Sequence, residues 1–205
     1  MEERIINYDR ILDYTLAEGP GRRLCIWTQG CLKSCPGCCN EALQALKVSK
    51  IITVSQFCKR IDWAKNEYNL EGVTFLGGEP FLQASALSEA ARFSRLRGLS
   101  VMTFTGYTLE ELHSSAFPGS AELISNTDVL VDGPYWRNQP DLYRNWVGSE
   151  NQKFHYLSDF YDNKIETAEE YRGIVEMDFP QEVNRNVYST AINGCPKTME
   201  ILEKI

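Results

Sequence analysis

The stretch Gly30-Cys31-Leu32-Lys33-Ser34-Cys35-Pro36-Gly37-Cys38-Cys39-Asn40 sets three thiols, Cys31, Cys35 and Cys38, with three and then two residues between them. Thiolates this close in a short loop converge on one soft metal centre. A mononuclear zinc site takes four protein ligands, or three and a water, usually in pairs two to four residues apart. A cubane iron–sulfur cluster accepts three cysteines and leaves one iron open, which admits chemistry beyond electron storage. Pro36-Gly37 keeps the loop tight, and Gly37 lets main chain approach a ligand. Cys39 is an alternative fourth ligand that would close a cluster into an electron carrier, although adjacent cysteines point at one cubane with difficulty. A structural metal knuckle, or unligated core cysteines, is the plainer alternative.

The chain carries seven cysteines in all. Met1-Glu2-Glu3-Arg4 lacks the basic start and apolar middle of a signal peptide, and no run of eighteen apolar residues follows. The expectation is a cytoplasmic protein without a membrane segment, in which cysteines serve metals or catalysis before disulfides. A length of 205 residues at 43% hydrophobic suits one domain with a real core. The net charge of −7, with no basic run and no aromatic–basic interleaving, argues against nucleic acid as the main partner. Residues 158–205 hold ten Asp/Glu against five Lys/Arg, and read as an acidic extension packed on a core domain of residues 1–157. Cys25 sits in an apolar run and reads as a small core hydrophobe. Cys58 and Cys195 read as ordinary residues.

Residues 4–12 read as an extended opening segment, closed by the turn Gly19-Pro20-Gly21. Strands are predicted over Arg22–Gln29, Val73–Leu76, Ser100–Thr105 and Val129–Val131. Helices are predicted over Glu41–Leu46, from an N-cap at Ser55, over Ser85–Arg97 and from Leu109. In the extension, 174–177 and 186–192 could add strands. Alternating strands and helices imply a parallel α/β sheet. The cysteine loop, Gly77-Gly78-Glu79-Pro80, Thr105-Gly106 and Asp132 all follow carboxyl ends of predicted strands, the rim where parallel sheets and barrels bind ligands.

Cys-x-x-x-Cys-x-x-Cys after a first strand, with Gly-Gly-Glu about forty residues later after another, resembles the radical S-adenosylmethionine (SAM) enzymes. Thr105-Gly106-Tyr107, Asp128-Val129-Leu130-Val131-Asp132-Gly133-Pro134-Tyr135 and Trp146-Val147-Gly148-Ser149-Glu150-Asn151-Gln152 narrow the resemblance to the activating enzymes of anaerobic ribonucleotide reductase. So do Gly19-Pro20-Gly21 and Cys35-Pro36-Gly37-Cys38. Many radical SAM enzymes carry an aromatic residue before the third cysteine, against the SAM adenine; Gly37 stands there in this chain, as in that branch.

The resemblance implies a partial (β/α)6 barrel of about six parallel strands. It implies a 4Fe–4S cluster on Cys31, Cys35 and Cys38 with SAM at the open iron. Pro36, Gly37, Cys38, Gly77, Gly78, Glu79, Thr105 and Asp132 would border SAM. The Glu79 carboxylate and the glycine backbone would take its amino group. Reductive cleavage would give methionine and a 5′-deoxyadenosyl radical, which abstracts hydrogen from a glycine of a partner reductase, with a flavodoxin-type reductant supplying the electron. For Asp132 a turn-forming role stands beside cofactor contact. Asn151 and Gln152 read as satisfying backbone groups, and His113 and His155 as surface or packed residues. A small radical SAM enzyme acting on a peptide or small molecule, and an electron-transfer or structural iron–sulfur module, are the competing functions.

Overall fold

The computed structural model describes residues 3–114, 117–178 and 188–192. Its strands are β1 (Ile5–Thr15), β2 (Arg23–Thr28), β3 (Lys50–Thr53), β4 (Gly72–Gly77), β5 (Ser100–Phe104), β6 (Val129–Asp132), β7 (Lys153–Tyr156), β8 (Val175–Asp178) and β9 (Tyr188–Ile192). Its helices are α1 (Val54–Tyr68), α2 (Ala84–Leu96), α3 (Leu109–Ser114) and α4 (Ser120–Ser125). Seven strands form one sheet in the order β3-β1-β2-β4-β5-β6-β7, and β8 pairs with β9 separately. The sheet is open, with β3 and β7 at its edges. Among the described residues no helix is long and apolar enough to cross a membrane.

Four strands run parallel where about six were expected: β2 to β4, β4 to β5 and β5 to β6. The opening segment is itself a strand, antiparallel to both β2 and β3, and β7 closes the far edge antiparallel to β6. The extra strands escape a period-two reading for physical reasons. β1 slips register twice against β2, between Tyr8 and Arg10 and between Leu12 and Thr15, which breaks its inside–outside alternation. β3 is an exposed edge with no fully buried residue. Helix α1 starts earlier than the Ser55 cap suggests: the Thr53 hydroxyl accepts from the Gln56 N–H and the Gln56 side chain accepts from the Thr53 N–H, a capping box that satisfies two free donors. Glu41–Leu43 forms a single 3-10 turn in place of a longer helix.

Strands added in one direction with crossovers of one hand put every helix on the same face. Leu24 and Ile26, Val73 and Phe75, Val101 and Leu130 turn to that face and meet Phe57, Ile61, Leu87, Ala91, Leu112 and Leu123 from all four helices. The alternate residues face the other way. Cys25, Trp27 and Leu76 join Leu43; Met102, Val129 and Val131 join Trp146, Val147 and Ile165. Strands buried on both sides explain the continuous apolar runs. The lower end is held by Arg23, fully buried, whose guanidinium donates to Thr74 Oγ1 (2.6 Å), Pro20 O (2.9 Å), Ser100 Oγ (3.0 Å) and Val73 O (2.6 Å). The upper, carboxyl end of the strands carries the site.

Candidate functional site

The cysteine loop leaves β2 and is pinned by backbone hydrogen bonds on both sides. Gly30 N–H donates to Leu43 O (2.8 Å) and Cys31 N–H to Gln44 O (3.0 Å). Glu79 N–H donates to Gly30 O and Gly78 N–H to Thr28 O, each 2.8 Å. Within the loop Cys38 N–H reaches Cys35 O at 3.2 Å. Ser34 (φ 49°) and Gly37 (φ 76°) take left-handed backbone, which turns the loop sharply enough to bring its thiols to one side. A cavity of about 210 Å³ is lined by Cys31, Cys35, Cys38 and Cys39 and faces Gly77, Gly78, Thr105 and Gly106. Trp27, Phe104, Tyr135, Trp146 and Gln152 complete much of its wall.

The donor set is soft: four thiols, three half-buried and Cys39 exposed. Among the described residues no three Cys, His, Asp or Glu side chains converge as a single metal ion requires. A cubane presents its irons at separate corners, so its ligands need not meet at one point. A thiol-only donor set is the chemistry that an iron–sulfur cluster takes. Burial pushes the Cys31 and Cys35 thiols up, while the hydrogen bond from Cys39 draws Cys38 down. Cys25 is buried in β2, as its apolar neighbours suggest. Cys58 packs beside the helix-side core, where burial pushes its thiol to about 11. Cys195 lies outside the described residues.

Of the residues read as cofactor-binding, Cys38, Gly77, Gly78 and Thr105 line the cavity. Pro36 and Gly37 belong to the loop that supports it. Glu79 is fully buried and holds three chain donors: Phe81 N–H (3.0 Å), Thr105 Oγ1 (2.9 Å) and Gly106 N–H (2.8 Å). It thereby ties the end of β4 to the end of β5. Asp132 accepts from Leu109 N–H at 2.6 Å, at the start of α3, and lies 2.9 Å from His155 Nε2. His113 is exposed on α3. Asn151 Nδ2 donates to Pro134 O (2.7 Å), and Gln152 Oε1 accepts from Gly148 N–H (2.8 Å); both satisfy backbone groups, and Gln152 also lines the cavity.

Burial pushes the Glu79 carboxyl up to about 7, above the ordinary 4.5. Between these values the folded chain binds the proton that the unfolded chain has released, so stability falls as pH rises through that window. The advantage of wild type over Glu79→Gln is expected to shrink by on the order of 3 kcal/mol between pH 4.5 and pH 7. Urea midpoints of both proteins at the two pH values measure it; parallel pH profiles would contradict the assignment.

Lys33 is a site residue that sequence reasoning passed over. Its ammonium pairs with both Glu111 oxygens (3.0 and 2.9 Å) and stands 4.1 Å over the Tyr107 ring. It fastens the cysteine loop to the Thr105-Gly106-Tyr107 turn. Its place inside the thiol motif was the available signal.

An open α/β sheet with a thiol-only loop at the carboxyl ends of its parallel strands defines a class, the proteins that carry one iron–sulfur cluster on a short cysteine loop. The model of the 4Fe-4S single cluster domain matches residues 17–155, more than half of the chain. Anaerobic ribonucleoside-triphosphate reductase-activating proteins are similar over most of their length. That of Vibrio cholerae is 30% identical over 155 residues, covering 73% of this chain and 97% of the relative. That of Enterobacteria phage T4 is 28% identical over 152 residues, 72% and 92%. That of Escherichia coli K12 is 27% identical over 157 residues, 74% and 99%. The chain belongs to the 4Fe-4S single cluster domain family and, within it, to the anaerobic ribonucleoside-triphosphate reductase-activating proteins.

Proposed function

We propose that the chain is a radical SAM enzyme that activates an anaerobic ribonucleotide reductase by abstracting hydrogen from one of its glycines. The observation that carries the reading is that Cys31, Cys35 and Cys38 share one cavity with the glycine-lined end of β4. The thiols of these three residues would hold the 4Fe–4S cluster. When bound, the cluster supplies the electron that splits SAM into methionine and a 5′-deoxyadenosyl radical. Gly77 and Gly78 line the cavity and would expose main chain to the nucleoside cofactor. Thr105 lines the cavity, and Glu79 holds Thr105 and Gly106 in register with β4. Asp132 sets the start of α3 beside the same rim. Trp27, Phe104 and Trp146 line the cavity with apolar rings that would keep water from the cofactor.

Residues 1–157 are proposed as the core and 158–205 as its acidic extension; the four parallel strands would be the retained part of a partial barrel. A glycyl-radical reductase is the protein substrate, and a flavodoxin-type protein the electron source, in the cytoplasm.

The test is anaerobic. Protein reconstituted with iron and sulfide, reduced and given SAM, is expected to release 5′-deoxyadenosine. With the anaerobic reductase of the same organism it is expected to produce a glycyl radical in the electron paramagnetic resonance spectrum. No nucleoside release would remove the radical SAM reading and favour an electron-transfer module. Release without a glycyl radical would favour an enzyme acting on a peptide or small molecule.

A further inference from the structure

Trp146 stands in the cavity wall on backbone that a bulky side chain avoids. Its φ is 61°, and it is 6% exposed. A left-handed non-glycine residue is strained and persists where its surroundings over-determine it. Met102, Val129 and Val131 of the sheet supply one part of those surroundings, and residues 158–172 supply another. Asn145 N–H donates to Glu166 O (2.6 Å), and its side-chain amide donates to Ile165 O and Ala168 O, both at 3.0 Å. The Tyr171 ring lies 5.2 Å from the indole, tilted by 41°. Ile165 is buried in the same cluster as Trp146 and Val147.

The segment is anchored well below the cavity. Ser158 Oγ bonds Asp128 Oδ1 at 2.6 Å, and Tyr161 OH meets Ser100 Oγ at 3.0 Å, next to buried Arg23. Tyr156 OH donates to Glu166 Oε1 at 2.9 Å, which fastens the middle of the segment to β7. The family match stops at residue 155. Residues 158–172 therefore lie outside what the match accounts for.

We propose that residues 158–172 form a strap that positions Trp146, and through it the cavity wall at Trp146, Gly148 and Gln152, so that the extension sets how tightly the cofactor binds. This rests on the SAM reading above. Tyr171 is the positioning residue: it touches Trp146 and does not line the cavity.

An aromatic pair contributes about 0.5–1.5 kcal/mol beyond its buried area, so Tyr171→Ala is expected to weaken SAM binding about three- to tenfold. Equilibrium dialysis of SAM against the reconstituted, unreduced protein reads this without turnover. Iron content and the rate at saturating SAM should stay at wild-type levels, so that KM rises while kcat does not. Tyr171→Phe keeps the ring and should restore the affinity. Unchanged SAM affinity in Tyr171→Ala, or equal damage in Tyr171→Phe, overturns the proposal. If Tyr171→Ala does not take up iron, Tyr171→Leu keeps apolar volume without the ring and carries the same expectation and the same overturning result. Wild-type protein that fails to bind SAM overturns both this proposal and the reading beneath it, whereas equal binding by wild type and variant overturns the strap alone.

Discussion

Alanine at any one of Cys31, Cys35 or Cys38 is expected to abolish cluster assembly and, with it, 5′-deoxyadenosine release. Even second partners of metal ligands are worth about 10–100-fold in affinity, so removing a ligand itself should cost about a hundredfold or more. Iron and sulfide per chain after anaerobic reconstitution measure the first effect, and nucleoside release the second. Cys39→Ala is the internal comparison. Its thiol lines the same cavity but is exposed and adjacent to Cys38, and its loss should leave iron content at wild-type levels. Loss of the cluster in Cys39→Ala, as in each of the other three, would replace the open cluster by a closed one with four protein ligands. Thiols must shed their protons to bind. Burial holds Cys31 and Cys35 protonated to higher pH than usual, so loading should weaken as pH falls.

Gly78→Ala should be nearly as damaging although it removes no ligand. A Cβ there would stand 2.4 Å from Gly30 O, 2.9 Å from Gly30 C and 3.0 Å from Gly30 N. All three are backbone, and Gly30 is itself tied to Leu43 and Glu79, so nothing nearby can yield cheaply. The methyl would drive the start of the cysteine loop away from the end of β4. Overpacking of this kind costs about 3 kcal/mol or more, and in a chain this long should lower Tm by roughly 6–12 °C. Cluster uptake should fall with it. Gly98→Ala is the control: its φ is 74°, but nothing lies within 4 Å. It should cost about 1–2 kcal/mol of backbone strain and leave the cluster intact. Equal iron content in wild type and Gly78→Ala would show that the contact between loop and strand does not set the site.

Where the chain obeys local rules, the sequence is easily read. The four parallel strands are short apolar runs ended by unusual residues, and the cysteine loop, Gly77-Gly78 and Thr105 do meet at one rim. Other parts depend on partners distant in the chain. β1 has two register slips that spoil its alternation, and β3 and β7 are short edge strands whose pairing supplies what their side chains do not. Glu79 was legible as important, yet the three donors that hold it come from Phe81, Thr105 and Gly106, so its geometry is tertiary. Trp146 belongs to a readable motif. Its left-handed backbone and its Tyr171 neighbour could not be inferred from spacing.

All four helices among the described residues pack on one side of the sheet, and this divides the labour of the chain. One half of the sandwich is a conventional hydrophobic interior, intolerant of change and silent in chemistry. The other half is covered by connecting segments and by Tyr161, Ile165 and Tyr171, which answer to few packing constraints from the helices. Such an asymmetric body lets its loop-clad side be remodelled while the helix-clad side keeps the frame in which the thiols are presented.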